Sequence, residues 1–245
     1  MDKATYQTLN SVSHFQTNST SKWIGCIALI SLLWFIGLVL SQVIPNVVFG
    51  MEMQGVTYGF SAIIFAVTTA LVIFLASKLL RLSKADLGLV SNNWLSDIGI
   101  GVLFGVTWTL LQFLIIIPNT GGFEREDIVA NLQQLGTQPI GLIGFHVTAW
   151  LGGGFAEELF FRGFLLFSLI QLFRNTFIGK VVAVALVTII FALLHGYQGW
   201  IGILDTGFFG GLLMCLLYLW RNNIIAALVA HGLYDMLAST WMFYH

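Results

Sequence analysis

Apolar residues fall along the chain in long blocks separated by short polar breaks, and the blocks have the length a bilayer demands. A hydrocarbon core of about 30 Å takes about 20 apolar residues per helix. The pattern predicts seven crossings: 23–44 ended by Pro45, 56–76, 98–117 ended by Pro118, a stretch over 139–173, then 181–194, 200–220 and 224–244. The stretch from Pro139 to Phe173 is too long for one upright crossing and must tilt, break or protrude. Gly152, Gly153 and Gly154 mark its weak point, because consecutive glycines disfavour a rigid helix interior. The expected fold is all-α: a multi-pass integral membrane helical bundle of about seven to eight transmembrane helices.

Residues 1–22 precede the first block and are rich in Ser, Thr, Asn and Gln, the composition of a disordered tail. That tail, with no small-residue cleavage pattern after the block, argues against a cleavable signal peptide. Residues 23–138 form an N-terminal set of crossings and 139–245 a C-terminal core, within a single membrane domain. No internal repeat suggests a transporter built from two halves.

Composition supports the lipid reading. Of 245 residues, 58% are hydrophobic and 9% charged, where a soluble domain carries roughly a quarter charged. Ten basic and eleven acidic residues leave a net charge of -1, which excludes a nucleic-acid footprint. Cys26 and Cys215 lie in apolar runs, without metal-ligand spacing, and read as small buried hydrophobes. With strict alternation, Lys3, Lys22, Lys78, Arg81, Lys84, Arg174, Lys180 and Arg221 all fall on one side, and Arg125 alone on the other. The basic side is the cytoplasmic one, which puts the amino terminus inside.

An ionisable group at bilayer depth is costly unless paired or hydrated, so each one is a candidate site. Five charged residues qualify: Glu157, Glu158, Arg162, Asp205 and Asp235, with His146, His195 and His231 in the same segments. His14 and His245 sit in the tails. Glu158 and Arg162 are four apart, acid first, and are expected to pair along one helix face. Glu157, about 100° around the helix, has no sequence-local partner, which is the profile of a general base. The alternative is a structural polar knot between helices. His195 ends the fifth crossing, where a cap or interface role competes with a catalytic one. His231 and Asp235 share a face of the last helix, where the carboxylate is placed to orient the imidazole.

At about 1.5 Å per residue, Glu157 lies about 25 Å in from Arg174, His195 about 22 Å from Lys180, and His231 about 15 Å from Arg221. The three can share one membrane layer. Asp205 is either a fourth member or a residue of the outer interface, and His146 falls outside the site. Such a group serves proton relay, ion binding or hydrolysis. Gly-x-Ser-x-Gly and His-Glu-x-x-His are both absent, which disfavours a serine elbow or a soluble-type zinc protease.

Glu-Glu-x-x-x-Arg at 157–162, Phe-x-x-x-His at Phe191 and His195, and His-x-x-x-Asp at His231 and Asp235, in that order, resemble the CPBP family of intramembrane proteases. That family includes the CAAX prenyl endopeptidases and bacterial Abi proteins, some linked to bacteriocin self-immunity. The resemblance runs from about Pro139 to the C-terminus. It implies a water activated by Glu157 with His195, an oxyanion stabilised by His231 and Asp235, and a helix held by Glu158 and Arg162. The usual fourth motif ends in Asn; an ionised Asp235 can only accept, and would orient His231 instead. Whether the water is metal-free or sits on zinc held by Glu157, His195 and His231 stays open at this level.

The resemblance further implies a peptide or protein substrate at the membrane, the lipid bilayer as surroundings, no nucleic acid, and a place in the cell membrane. The oligomeric state is not encoded in the motifs. Two other functions compete: a non-catalytic bacteriocin self-immunity or scaffold protein of the same fold, and a proton-coupled transporter.

Overall fold

The computed structural model describes residues 18–245. It is 84% helical, with no strand among the described residues. Eight helices follow one another: α1 Thr20–Phe49, α2 Val56–Leu80, α3 Trp94–Asn119, α4 Glu126–Leu135, α5 over 139–172, α6 Phe177–Leu194, α7 Gly196–Arg221 and α8 Ile225–Tyr244. Five of them, α1, α2, α3, α6 and α7, are long and apolar enough to cross a membrane. The chain is a multi-pass membrane protein built as an all-α bundle.

Most of the expected tail, residues 1–17, lies outside the described residues. Its last residues open α1: Ser19 accepts from the Lys22 backbone N–H, and Asn18 donates to the carbonyl of Leu80 at 3.0 Å. Pro45 does not end α1 as expected. The helix runs four residues beyond it and closes at Gly50, whose φ of 64° and N–H to Asn46 O make a left-handed cap. A proline in the last turns removes a single N–H, which an otherwise intact membrane helix tolerates. α3 and α6 start earlier than the apolar blocks because Asn93 and Thr176 cap them. α4 was not foreseen: it is short and amphipathic, burying Ile128 and Leu135.

Residues 139–172 are one unbroken helix, and the three glycines are no break in it. The chain winds instead as π-helix over Thr148–Glu157 and Leu159–Leu166. The glycines act as a notch. A Cβ on Gly154 would stand 3.2 Å from Gly232 Cα and 3.0 Å from Leu228 O, so α5 and α8 meet backbone to backbone. Gly101 and Gly105 of α3 do the same against Ala226 O and Ala230 O of α8, at 2.7 and 2.8 Å from an added Cβ.

These contacts make α5 and α8 the middle of the bundle. All of 159–166 is buried, with Phe160 stacked on Trp34 at 4.1 Å and Phe161 edge-on to Phe191 at 4.9 Å. The outer helices leave Leu32, Leu71, Leu103 and Ile189 exposed, as a lipid-facing surface requires.

One end of the bundle is tied by polar contacts. Arg221 donates to Asp97 at 2.5 Å, Asn223 donates to the same carboxylate at 2.9 Å, and Ile224 N–H donates to Gly88 O at 3.0 Å. With the Asn18–Leu80 bond, these join the starts of α1, α3 and α8 to the ends of α2 and α7. Arg125 lies on the loop that leads into α4, at the opposite end of α3.

Candidate active site

A cavity of about 500 Å³ opens among the eight helices, with walls from α1 and α2 as well as α3 to α8, and Glu157, His195, His231, Asp235 and Asp205 all line it. Each arrives there for a local reason. Glu157 and Glu158 stand where the two π-wound segments of α5 meet. Such winding is uncommon and recurs at functional sites. The cavity brings together the residues expected to share a membrane layer, with Asp205 among them. His146 lies apart, bonded to Thr240 at 2.9 Å.

Glu158 and Arg162 form the expected pair, Nη1 to Oε1 at 2.8 Å, and both side chains are 0% exposed. Arg162 also donates to the carbonyls of Gly210 and Gly211. Those carbonyls belong to the π-wound, glycine-rich Gly207–Leu213 of α7, where the ladder shifts from i−4 to i−5 partners. The guanidinium packs over Phe191 at 4.9 Å. A Cβ on Gly210 would come within 2.7 Å of the same ring. Phe191 therefore couples α6 to this knot.

The same Glu158 oxygen accepts from His231 Nδ1 at 2.7 Å. Asp235 Oδ2 faces His231 Nε2 at the longer distance of 3.5 Å. The imidazole thus has a carboxylate toward each nitrogen, and the tighter bond comes from another helix, not from the residue one turn away. Nδ1 must carry a proton to donate to Glu158. Gly153 makes room here: an added Cβ would collide with Asp235 Oδ2 and lie 3.1 Å from His231 Nε2.

His195 caps α6 with its ring, and Nδ1 is 2.8 Å from Phe191 O. A carbonyl only accepts, so Nδ1 is the protonated nitrogen and the neutral ring leaves a lone pair on Nε2. Glu157 has no ion pair among the described residues, and its buried Oε2 finds no hydrogen-bond partner. The set therefore holds a free carboxylate oxygen, a free imidazole lone pair and an imidazole N–H fixed by a carboxylate.

Zinc does not fit this arrangement. Among the described residues, no three His, Cys, Asp or Glu side chains converge as a ligand set. The ligand set Glu157, His195 and His231 is not drawn together as a metal centre would require.

Sequence reasoning missed the far wall of the cavity. Asp205 accepts from Gln112 Nε2 at 2.6 Å and from Arg125 Nη2 at 3.1 Å, and Arg125 holds Asp127 through Nε and Nη2 at 3.0 and 2.7 Å. Burial of the guanidinium lowers its proton affinity, and its bonds to Asp127 and Asp205 outweigh that and raise it. The signal for this cluster was Arg125 itself, the single basic residue away from the others.

No curated protein and no solved structure matches the chain at a significant level. Residues 139–237 match the family model described as Rce1-like, type II CAAX prenyl endopeptidase Rce1-like, which bears out the resemblance carried by the three motifs and spans Glu157, Glu158, Arg162, His195, His231 and Asp235.

Proposed function

We propose that the protein is an intramembrane endopeptidase of the CAAX prenyl protease type, hydrolysing a peptide bond with a water activated by Glu157. The observation that carries this reading is the unpartnered carboxylate oxygen of Glu157 on the same cavity as His195 and His231. Glu157 takes a proton from water as the oxygen attacks the carbonyl carbon. His195 Nε2 accepts the water's second hydrogen bond and orients it. Negative charge grows on the carbonyl oxygen, and His231, doubly protonated between its two carboxylates, donates Nε2–H to it. Glu157 then delivers its proton to the leaving nitrogen as the C–N bond breaks. A positioned base is worth about 10²–10⁴-fold and one oxyanion donor about 10²–10³-fold.

Asp235 keeps His231 oriented, and Glu158 with Arg162 holds the helices that bring α5 and α8 together. The substrate is a peptide segment at the membrane, and the surroundings are the lipid of a cell membrane. The amino terminus is on the cytoplasmic side, supported by the basic residues gathered at one end of the bundle.

The test compares purified wild type with Glu157→Ala on a panel of membrane peptides in detergent and in proteoliposomes. Cleavage by wild type and none by the variant supports the reading. Equal cleavage by both sinks it, as does binding without cleavage by the wild type, which leaves the immunity or scaffold role.

A further inference from the structure

The wall of the cavity away from Glu157 carries a cluster whose hydrogen-bond and charge balance is incomplete. Asp205 of α7 and Asp127 of α4 flank a single guanidinium, that of Arg125, so the group has one more formal negative charge than positive. Arg125 is nearly spent: Nε and Nη2 serve the two carboxylates, and Nη1 donates to Thr120 at 2.9 Å. Gln112 of α3, 2% exposed, gives its amide N–H to Asp205 Oδ1. That bond fixes the amide, since a carboxylate accepts and the nitrogen must face it. The amide oxygen is buried and has no hydrogen-bond partner among the described residues. Gln112, Arg125, Asp127 and Asp205 all line the cavity that holds Glu157 and His231.

A buried acceptor left unmade costs free energy, and acceptors here outnumber donors. Gln112 also begins the π-wound turn of α3, Gln112–Ile116, the kind of irregularity that recurs at functional sites. We infer that Gln112 and Asp205, with Arg125 and Asp127 behind them, form a specificity subsite for a cationic side chain, Lys or Arg, of the peptide substrate. The ammonium or guanidinium donates to Gln112 Oε1 and to the free lone pairs of Asp205, and offsets the surplus negative charge. A terminal carboxylate meets an acceptor and two carboxylates there and is repelled.

Reach is adequate. Trp108 lies with its ring centroid 6.2 Å from that of His231, and Gln112 is one helical turn further along α3, about 6 Å. An extended peptide advances about 3.3 Å per residue, so the cluster is reached within three or four residues of the scissile bond.

The peptide occupant rests on the peptidase reading above, so the test separates the two. Membrane peptides carrying Lys, norleucine or Glu at each of four positions on either side of the bond are bound to Glu157→Ala protein and, separately, offered to wild type for cleavage. At one position, Lys is expected to exceed norleucine about tenfold or more in affinity, and Glu to fall below both. Gln112→Met and Asp205→Asn, each made in the Glu157→Ala background, are expected to bring the Lys to norleucine ratio to within about twofold. Gln112→Met leaves the Arg125–Asp127 pair intact, which guards against misfolding of the second variant.

Binding preference without wild-type cleavage keeps the subsite and sinks the peptidase. Cleavage with no Lys preference at any position sinks the subsite and keeps the peptidase. A preference for Glu or a free carboxylate, an undiminished Lys preference in both variants, or no binding of any peptide overturns the subsite.

Discussion

His231 and Glu158, on different helices and 73 residues apart in the chain, share a hydrogen bond of 2.7 Å, and the oxygen that accepts it is the one held by Arg162 at 2.8 Å. One carboxylate oxygen thus fixes the rotamer of an imidazole in α8 and closes an ion pair in α5. Loss of either cationic partner leaves the rest of the knot buried and uncompensated. Arg162→Ala is expected to destabilise by about 3–5 kcal/mol, the cost of orphaning a buried charge. Thermal unfolding in detergent checks this, and Glu158→Leu combined with Arg162→Leu is expected to recover part of the loss.

Glu157 behaves oppositely, because its Oε2 has no bond to lose. Glu157→Gln is expected to lower kcat by 10²-fold or more without lowering the unfolding temperature. A parallel drop in both quantities would place Glu157 among the structural residues instead.

Gly153 sets the approach of α5 to the His231–Asp235 face. Gly153→Ala drives a methyl group into Asp235 Oδ2 and against His231 Nε2, and is expected to cut activity at least tenfold, since small displacements of positioned groups are costly. Gly152→Ala, where the nearest atom to the added methyl stands 3.5 Å away in the Thr148 side chain, serves as the tolerated neighbour. Comparable losses in both would deny Gly153 its special position.

Exhaustive chelation is expected to leave peptide cleavage intact, because among the described residues no three ligating side chains converge. Loss of activity on chelation, restored by added zinc, would show a ligand set that assembles only around the metal.

Single cysteines at Lys84 and at Gly122, in a background with Cys26 and Cys215 changed to alanine, are expected to label from opposite faces of intact cells, Gly122 from outside. Labelling of Lys84 alone from outside would invert the topology.

What the sequence made legible follows the reach of local geometry. The Glu158–Arg162 pair and the His231–Asp235 face are four-residue relations within one helix, and spacing alone finds those. The bond between His231 and Glu158 joins two helices, and no spacing within either one announces it. Gly152, Gly153 and Gly154 were misread for the same reason. Their weakness as helix formers is a property of an isolated segment, whereas their use here is to admit another helix at backbone distance. Pro45 leaves α1 unbroken because one lost N–H in a long membrane helix is a small defect. The place of Asp205 is not written in its own helix, because its partners, Gln112 and Arg125, come from two other parts of the chain.

The pairing of Glu158 with Arg162 also bears on electrical work. A membrane potential of 100 mV does about 2.3 kcal/mol of work on each net charge carried across it, but two opposite charges 2.8 Å apart move as a neutral unit. The pair therefore exchanges little energy with the field wherever it sits along the membrane normal. The charge through which the field can act on this helix is then the carboxylate of Glu157, whose Oε2 has no hydrogen-bond partner among the described residues.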